Sequence, residues 1–277
     1  MGACLEGAPF SGGKWIHAEA GVPCCKAAEG GAVGAGREYN GCGLRDYETM
    51  ERKVKGHVKP TRSVSSNRWM HEHVTDPYVQ QAKKLGYRSR AAFKILEIDE
   101  KFRILKRGLT VVDLGATPGG WSQIAGPRVG VGALKGAGRV IAIDLIEMHT
   151  LPGVEFLQVD FSTDQGLAAV VASLGIEGKA DLVLSDMAPN MSGIGISDQA
   201  KTMGLCELAL DFAGRFLQPN GAFVVKTFQG TGFTEFLREM KVIFADVKSL
   251  KPKSSRDRSA EVYLVGRGLR AASAMPG

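Results

Sequence analysis

The feature that most restricts the fold is a regular alternation of short apolar runs and helical stretches, which begins at Leu109. The first five runs are apolar on both faces, as expected of buried parallel strands. This alternation predicts a doubly wound α/β sheet, and two final runs without a helix between them predict a terminal antiparallel hairpin. Seven strands are predicted, at 109–115, 139–145, 154–161, 180–189, 221–228, 245–252 and 261–268, with later helices around 120–127, 163–174, 198–217 and 231–243.

Two helical stretches precede the sheet. Asp76-Pro77 can open the first, and Ser89 can cap the second, which continues as AAFKILEIDEKF. The first strand then ends in a glycine-rich turn, Asp113-Leu-Gly-Ala-Thr-Pro-Gly-Gly-Trp121. A dinucleotide fold would place G-x-G-x-x-G here, but Thr117 replaces the second glycine. The turn instead resembles the methionine-cradling turn of class I methyltransferases.

Acidic residues finish four of the strand candidates: Asp113, Asp144, Asp160 and Asp186. Because the carboxyl ends of parallel strands meet at one edge of a sheet, these side chains are expected to converge there. Asp144 suits the ribose hydroxyls of a nucleotide-like ligand, and Asp160 is placed to reach an adenine amino group. A lone strand-end Asp would more often be a turn residue or a helix cap.

The residues after the fourth strand narrow the chemistry of the acceptor. Methyltransferases of exocyclic amines carry Asn/Asp-Pro-Pro-Tyr at this place, and those of pyrimidine carbon use a Pro-Cys nucleophile. This chain has Asp186-Met-Ala-Pro-Asn, and Cys206 follows no proline. Cys206 is therefore interpreted as an apolar core thiol. Lys226 ends a run of apolar residues in the fifth strand, where an unpaired charge would be costly, so it is a candidate base.

Five ordered motifs resemble the FtsJ/RrmJ (RlmE) family of ribosomal RNA large subunit 2′-O-methyltransferases: SRAAFKILEID, VVDLGATPGGWSQ, LSDMAPNMSG, FVVKTFQG and SSRDRSAEVYLV. They span roughly Ser65 to Arg267. The resemblance implies a Rossmann-like class I methyltransferase fold, with helices on both faces of a mostly parallel sheet. It places a catalytic tetrad at Lys94, Asp186, Lys226 and Glu261, with Lys226 deprotonating the ribose 2′-hydroxyl.

The same resemblance implies a cofactor, a substrate and a working state. The cofactor is S-adenosylmethionine, held by Gly119, Trp121, Asp144, Asp160 and Asp186, and no metal is required. The substrate is a uridine in the A-loop of 23S ribosomal RNA, within the large ribosomal subunit. We expect a monomer.

Charge and cysteines divide the chain into regions. Residues 1–49 hold eleven glycines and four of the five cysteines, which predicts a disordered extension, with Met50 as a candidate true start. Residues 50–75 form a basic leader expected to contact RNA, 76–270 the methyltransferase domain and 271–277 a tail. Residues 51–107 carry fifteen Lys/Arg against six Asp/Glu, which suits binding to RNA and equally a solvated face.

No signal peptide, no paired C-x-x-C and no apolar run of roughly 20 residues is present, so a cytoplasmic protein without a membrane span is expected.

Alternatives remain open on the sequence. The same chemistry could serve a transfer RNA anticodon loop or an mRNA cap. A non-catalytic RNA-binding assembly factor could retain the fold, although all four tetrad positions are filled. A small-molecule O-methyltransferase fits the basic block poorly.

Overall fold

The structure, a computed structural model, describes residues 74–189 and 195–270. The predicted extension at 1–49, the basic leader except for its last two residues, and the tail at 271–277 lie outside the described residues. Within the described part of the chain, no helix is both long and apolar enough to cross a membrane.

Helices α1 (Pro77–Lys84) and α2 (Ala91–Phe102) precede the sheet. Asp76 caps α1, since its carboxylate accepts hydrogen bonds from the amides of Tyr78 (2.9 Å) and Val79 (3.4 Å), as predicted. The prediction for Ser89 was wrong. Arg90 is the N-cap of α2 and makes no side-chain cap, and the buried Ser89 hydroxyl has no hydrogen-bond partner. A Cβ on Gly120 would come within 2.3 Å of that hydroxyl oxygen, so Ser89 points toward another helix instead.

A seven-stranded sheet forms the centre of the domain, in the order β3-β2-β1-β4-β5-β7-β6. Strands β1 to β5 pair in parallel, and β7 pairs antiparallel with both β5 and β6. The predicted mostly parallel sheet with a C-terminal antiparallel pair is thereby confirmed. The strands are β1 (Thr110–Leu114), β2 (Arg139–Asp144), β3 (Glu155–Gln158), β4 (Ala180–Ser185), β5 (Leu217–Phe228), β6 (Phe244–Leu250) and β7 (Glu261–Leu269).

Helices cover both faces of the sheet. The later helices are α3 (Gly120–Val129), α4 (Asp164–Leu174), α5 (Gly195–Phe216) and α6 (Phe233–Ile243). Alternate β1 residues point to opposite faces: Val111 packs in one apolar cluster with α2 and α3, and Val112 in another with α4, α5 and α6. The sheet is therefore packed between two buried apolar layers, one on each face.

Three strands differ from their predicted form, and one of them, β4, ends at Ser185 rather than at residue 189. β3 is four residues long and only partly buried, because among the described strands it lies at the edge of the sheet and pairs with β2 alone. β5 begins at Leu217 rather than at residue 221. Ala180 of β4 pairs with Leu217 of β5, but Leu182, two residues later, pairs with Ala222, five residues later. This irregularity in the pairing accommodates the Pro-Asn-Gly segment of β5.

Replacing Asp76 is expected to destabilise the domain. Asp76 is 8% exposed, and besides capping α1 its carboxylate contacts the guanidinium groups of Arg90 and Arg256. Asp76→Ala removes the cap and leaves two cations without this partner, which should lower the free energy of unfolding by about 2–4 kcal/mol. Asp76→Asn keeps a capping oxygen and should lose less. Urea unfolding of the two variants checks this, and an Ala variant as stable as wild type would refute it.

Candidate active site

The four predicted tetrad residues come together at one edge of the sheet. Lys94 lies on α2, Asp186 directly follows β4, Lys226 lies on β5 and Glu261 begins β7. The antiparallel register brings β7 to the same place, since Phe228 of β5 pairs with Glu261. The parallel strands end at this edge of the sheet, whereas the antiparallel strand β7 begins there.

The tetrad is arranged as two ion pairs. Lys94 Nζ lies 2.7 Å from Glu261 Oε1 and 2.8 Å from Oε2. Lys226 Nζ lies 3.1 Å from Asp186 Oδ1 and also donates to the backbone oxygen of Asp186. Both lysines and Glu261 are less than 10% exposed, so each ammonium has a carboxylate partner away from bulk water.

Tyr263 joins the two pairs and was missed by the sequence reasoning. It is fully buried, and its hydroxyl donates to Asp186 Oδ1 at 2.8 Å. Lys94 Nζ lies 5.6 Å from the centre of its ring, and the Trp121 ring lies 5.7 Å away on centroids. The signal was present, because Tyr263 is two residues after Glu261 in a strand and so shares its face.

These contacts keep the carboxyl group of Asp186 ionised. Burial by itself raises the pKa of this carboxyl, but attraction to Lys226 and Lys94 and the hydrogen bond from Tyr263 outweigh it, so the pKa lies below its usual range. Burial, together with the negative charge of Asp186, raises the pKa of Tyr263 well above its usual value. Tyr263 therefore stays protonated and donates to an ionised Asp186.

The loop between β6 and β7 holds Glu261 from the other side. The Ser255 hydroxyl donates to Glu261 Oε1 at 2.7 Å, and the Glu261 amide donates to Ser259 Oγ at 3.2 Å. Glu97 of α2 accepts hydrogen bonds from the amides of Lys253 and Ser254 in this loop. The segments that carry Lys94 and Glu261 are thus held together by these hydrogen bonds in addition to the ion pair itself.

A cleft of about 740 Å³ opens beside Asp186. Asp144 and Asp160 line it with Asp186, together with Gly115, Thr117, Leu145, Ile146, Phe161, Met187 and Lys201 among others. The Asp144 carboxylate accepts from the amides of Thr117 (2.8 Å) and Ile146 (2.9 Å), which fixes the glycine-rich turn against the end of β2. Gly115 has φ +72° and a Cβ there would meet Met187 at 2.5 Å, so only glycine lets the two loops approach so closely.

The remaining residues predicted to bind cofactor do not line this cleft. Gly119, at φ +99°, packs against Arg88 and Met148. Trp121 is 2% exposed and its indole nitrogen donates to the backbone oxygen of Ala91 at 2.9 Å. Across residues 74–189 and 195–270, no group of three or more His, Cys, Asp and Glu side chains could hold a metal ion.

Asp113 lies beneath the cleft rather than in its wall. It is 1% exposed and accepts a 2.6 Å hydrogen bond from the Ser122 hydroxyl. Burial raises its pKa to about 7, in spite of that hydrogen bond and with further repulsion from Asp186 and Asp144. Three of the four predicted strand-end acids therefore reach the cleft, and the fourth joins β1 to α3.

Cys206 is a buried core thiol, as predicted, and Phe93 packs against aromatic rings of the α1–α2 region. Cys206 is 2% exposed, its Sγ donates to the backbone oxygen of Lys226 at 3.2 Å, and burial raises its pKa to about 11. Phe93 contacts the rings of Tyr78 and Tyr87 at 5.4 Å and 5.5 Å between centroids. The Cys206 thiol is therefore part of the core.

The pKa of Asp113 predicts a pH-dependent stability. Folding raises the pKa of Asp113 from 3.8 to about 7. Between these two pH values the folded protein therefore keeps a proton on Asp113 that the unfolded chain has released. The free energy of unfolding from this group falls as pH rises through that window and is level above it. Asp113→Asn does not titrate, so it should gain about 2–4 kcal/mol relative to wild type between pH 4 and pH 8. Urea unfolding across this range tests it, with Asp211→Asn on the exposed side of α5 as control; parallel curves for Asp113→Asn and wild type would contradict it.

The sheet order, the antiparallel last strand and an acid-lined cleft at the carboxyl edge define a Rossmann-like methyltransferase fold. The family described as FtsJ-like methyltransferase matches residues 87–269. This chain belongs to the FtsJ-like methyltransferase family and is a methyltransferase, as the sequence motifs predicted.

Its relatives include proteins named ribosomal RNA large subunit methyltransferase E. The protein from an Azoarcus species is 54% identical over 209 residues, which are 76% of this chain and 99% of the relative. The protein of that name from Pseudomonas aeruginosa is 52% identical over 76% of this chain and 98% of its own length. A crystal structure described as a ribosomal RNA methyltransferase from Plasmodium falciparum is 29% identical, covers 66% of this chain and 98% of its own, and has a TM-score of 0.54.

Proposed function

We propose that this protein transfers a methyl group from S-adenosylmethionine to a ribose 2′-hydroxyl of ribosomal RNA in the large ribosomal subunit. The target is a uridine of the 23S A-loop, and the enzyme acts in the cytoplasm as a monomer. One observation carries the proposal: the buried Lys226–Asp186 pair directly adjoins a cleft lined by Asp144 and Asp160.

The chemistry of the cleft lining supports S-adenosylmethionine as the cofactor. Asp144 and Asp160 offer carboxylate oxygens to ribose hydroxyls and to an adenine amino group, and exposed Leu145 and Ile146 offer apolar surface to the base. When bound, S-adenosylmethionine supplies a methyl group on a positively charged sulfur. Gly119 and Trp121 then serve the site by packing behind the turn.

The tetrad fits an acceptor that must lose a proton. Lys226 first releases its own proton to solvent, and the neutral Nζ then takes the proton of the ribose 2′-hydroxyl, while Asp186 fixes Nζ in place through its carboxylate and its backbone oxygen. Lys94 and Glu261 hold the acceptor nucleotide from the α2 side. A paired, desolvated lysine placed in this way aligns the acceptor oxygen and removes its proton in one site.

Basic side chains and the names of the relatives support RNA as the substrate. Exposed cations lie on α1 and on the β6–β7 loop, the two segments that Asp76 joins: Lys83, Lys84, Lys251, Lys253 and Arg258. Such cations contact phosphates. Relatives aligned over nearly their whole length are named for large-subunit ribosomal RNA, which favours that RNA over transfer RNA or an mRNA cap. We propose that the leader at 50–75 adds further phosphate contacts.

The test uses large ribosomal subunits that lack the modification, labelled S-adenosylmethionine and mapping of the label. Wild type should label one 2′-oxygen, and a 2′-deoxy nucleotide at that position should receive none. Lys226→Ala should lower turnover by about 10²–10⁴-fold, the usual contribution of a positioned base. Lys241→Ala, an exposed lysine on α6, is the matched control.

Three outcomes would overturn parts of the proposal. Label on a base would refute the mechanism, and label on transfer RNA alone would refute the substrate. Undiminished transfer by Lys226→Ala would remove Lys226 from the chemistry.

Tyr263→Phe should lower turnover by about tenfold with little change in the Michaelis constant for S-adenosylmethionine. The change removes one hydrogen bond to a charged group, the 2.8 Å contact with Asp186, and leaves the buried ring in place. Asp186 then orients Lys226 less well. Tyr87→Phe, which removes a hydroxyl from a ring packed on Phe93, is the control. Steady-state kinetics decides, and a Tyr263 variant with wild-type turnover would show that the hydroxyl does not matter.

A further inference from the structure

Arg88 lies in the linker between α1 and α2, and its guanidinium contacts two loops at the rim of the cleft. Nη1 donates to the backbone oxygens of Pro118 (3.1 Å) and His149 (2.6 Å), and Nη2 donates to that of Thr150 (2.6 Å). Pro118 belongs to the glycine-rich turn after β1, and the other two belong to the loop after β2. We propose that Arg88 is a positioning residue that holds these two cofactor-binding loops together and against the α1–α2 linker.

The linker is also attached to α3, the helix that follows the turn. The Arg88 amide donates to Gln123 Oε1 at 2.9 Å, and Gln123 Nε2 donates to the backbone oxygen of Gly86 at 2.8 Å. Linker and helix are therefore bonded in both directions. The turn has Arg88 on one side and the carboxylate of Asp144, which accepts from Thr117, on the other.

Close packing shows that the guanidinium is part of the turn's own structure. A Cβ on Gly119 would lie 2.9 Å from Arg88 Nη1, so the cation occupies the space beside the glycine that a side chain would fill. Three carbonyl oxygens from two loops converge on one planar group. A guanidinium can bridge them with its fixed fork of donors, whereas the single ammonium of lysine cannot span both loops in the same geometry.

The arrangement links the two halves of the reaction. Thr117 and Ile146, from the same two loops, line the cleft, and Lys94 lies six residues after Arg88 on α2. The loops that hold the cofactor and the helix that presents Lys94 are thus joined through one side chain. This step rests on the proposed function, because it assigns the cleft to the cofactor and Lys94 to the acceptor.

A direct phosphate contact is the competing role for an arginine in this basic region, and the two roles predict different results. A phosphate contact needs positive charge, so Arg88→Lys should largely restore it, and RNA binding should lose part of its salt dependence in Arg88→Ala. A positioning role needs the planar fork, so Arg88→Lys should remain defective in cofactor binding without any RNA.

The experiment is calorimetric titration of the full-length protein with S-adenosylhomocysteine, without RNA. Arg88→Ala and Arg88→Lys are expected to raise the dissociation constant about tenfold, which corresponds to ~1.4 kcal/mol. Arg107→Ala is the matched control, since Arg107 also donates to a backbone oxygen, but to that of Lys135, which lies between α3 and β2 and outside the two loops that Arg88 joins; it should stay within about twofold of wild type. In kinetics with RNA, the Michaelis constant for S-adenosylmethionine should rise more than that for RNA.

Hydrogen exchange separates local from global effects. The amides of Thr117 and Gly119 and those at 146–151 should exchange faster in Arg88→Lys, while those of β4 and β5 keep wild-type protection. If Arg88→Ala fails to fold, Arg88→Lys and Gln123→Ala carry the test. Unchanged cofactor affinity in Arg88→Lys would overturn the proposal, as would a rise confined to the Michaelis constant for RNA. A wild-type protein that does not bind S-adenosylhomocysteine would instead contradict the proposed cofactor.

Discussion

The contact between Lys226 and Asp186 is the interaction on which the site depends. A lysine near the end of a buried strand loses water, and its charge is tolerable only beside a partner. Buried ion pairs add little net stability, because desolvation offsets their attraction. Their value here is orientation: the Asp186 carboxylate accepts from the Tyr263 hydroxyl while its backbone oxygen accepts from Lys226, so neither side chain can turn without breaking a hydrogen bond.

The second pair, between Lys94 and Glu261, depends on segments far apart in sequence. Lys94 and Glu261 are 167 positions apart, and Glu97 and Asp76 carry the contacts that bring their segments together. Asp76 contacts Arg90 before α2 and Arg256 in the β6–β7 loop. The site therefore requires α1, α2 and the β6–β7 loop to be packed together. The residues that stabilise this packing also fix the geometry of the Lys94–Glu261 pair.

Much of the fold followed from the sequence, since apolar runs without a polar face can satisfy burial only inside a parallel sheet. The tetrad positions were implied by the family resemblance, and the acids of the cleft were predicted from their places at the ends of parallel strands. Other features depended on tertiary contacts. Ser89 failed as a cap because it faces Gly120, and β5 starts early because an irregular pairing absorbs three extra residues. Arg88 looked like one more charge in a basic block, and only the three carbonyls around it give it a role.

The antiparallel placement of β7 has a consequence for the order in which the site can appear during synthesis. Every residue that lines the cleft precedes position 209, whereas Glu261 and Tyr263 belong to the strand made last. A growing chain can thus build the wall of the cleft long before it has the partners of Lys94 and Asp186. Competence for chemistry is gained only when β7 inserts between β5 and β6, so a prematurely terminated chain would be inert.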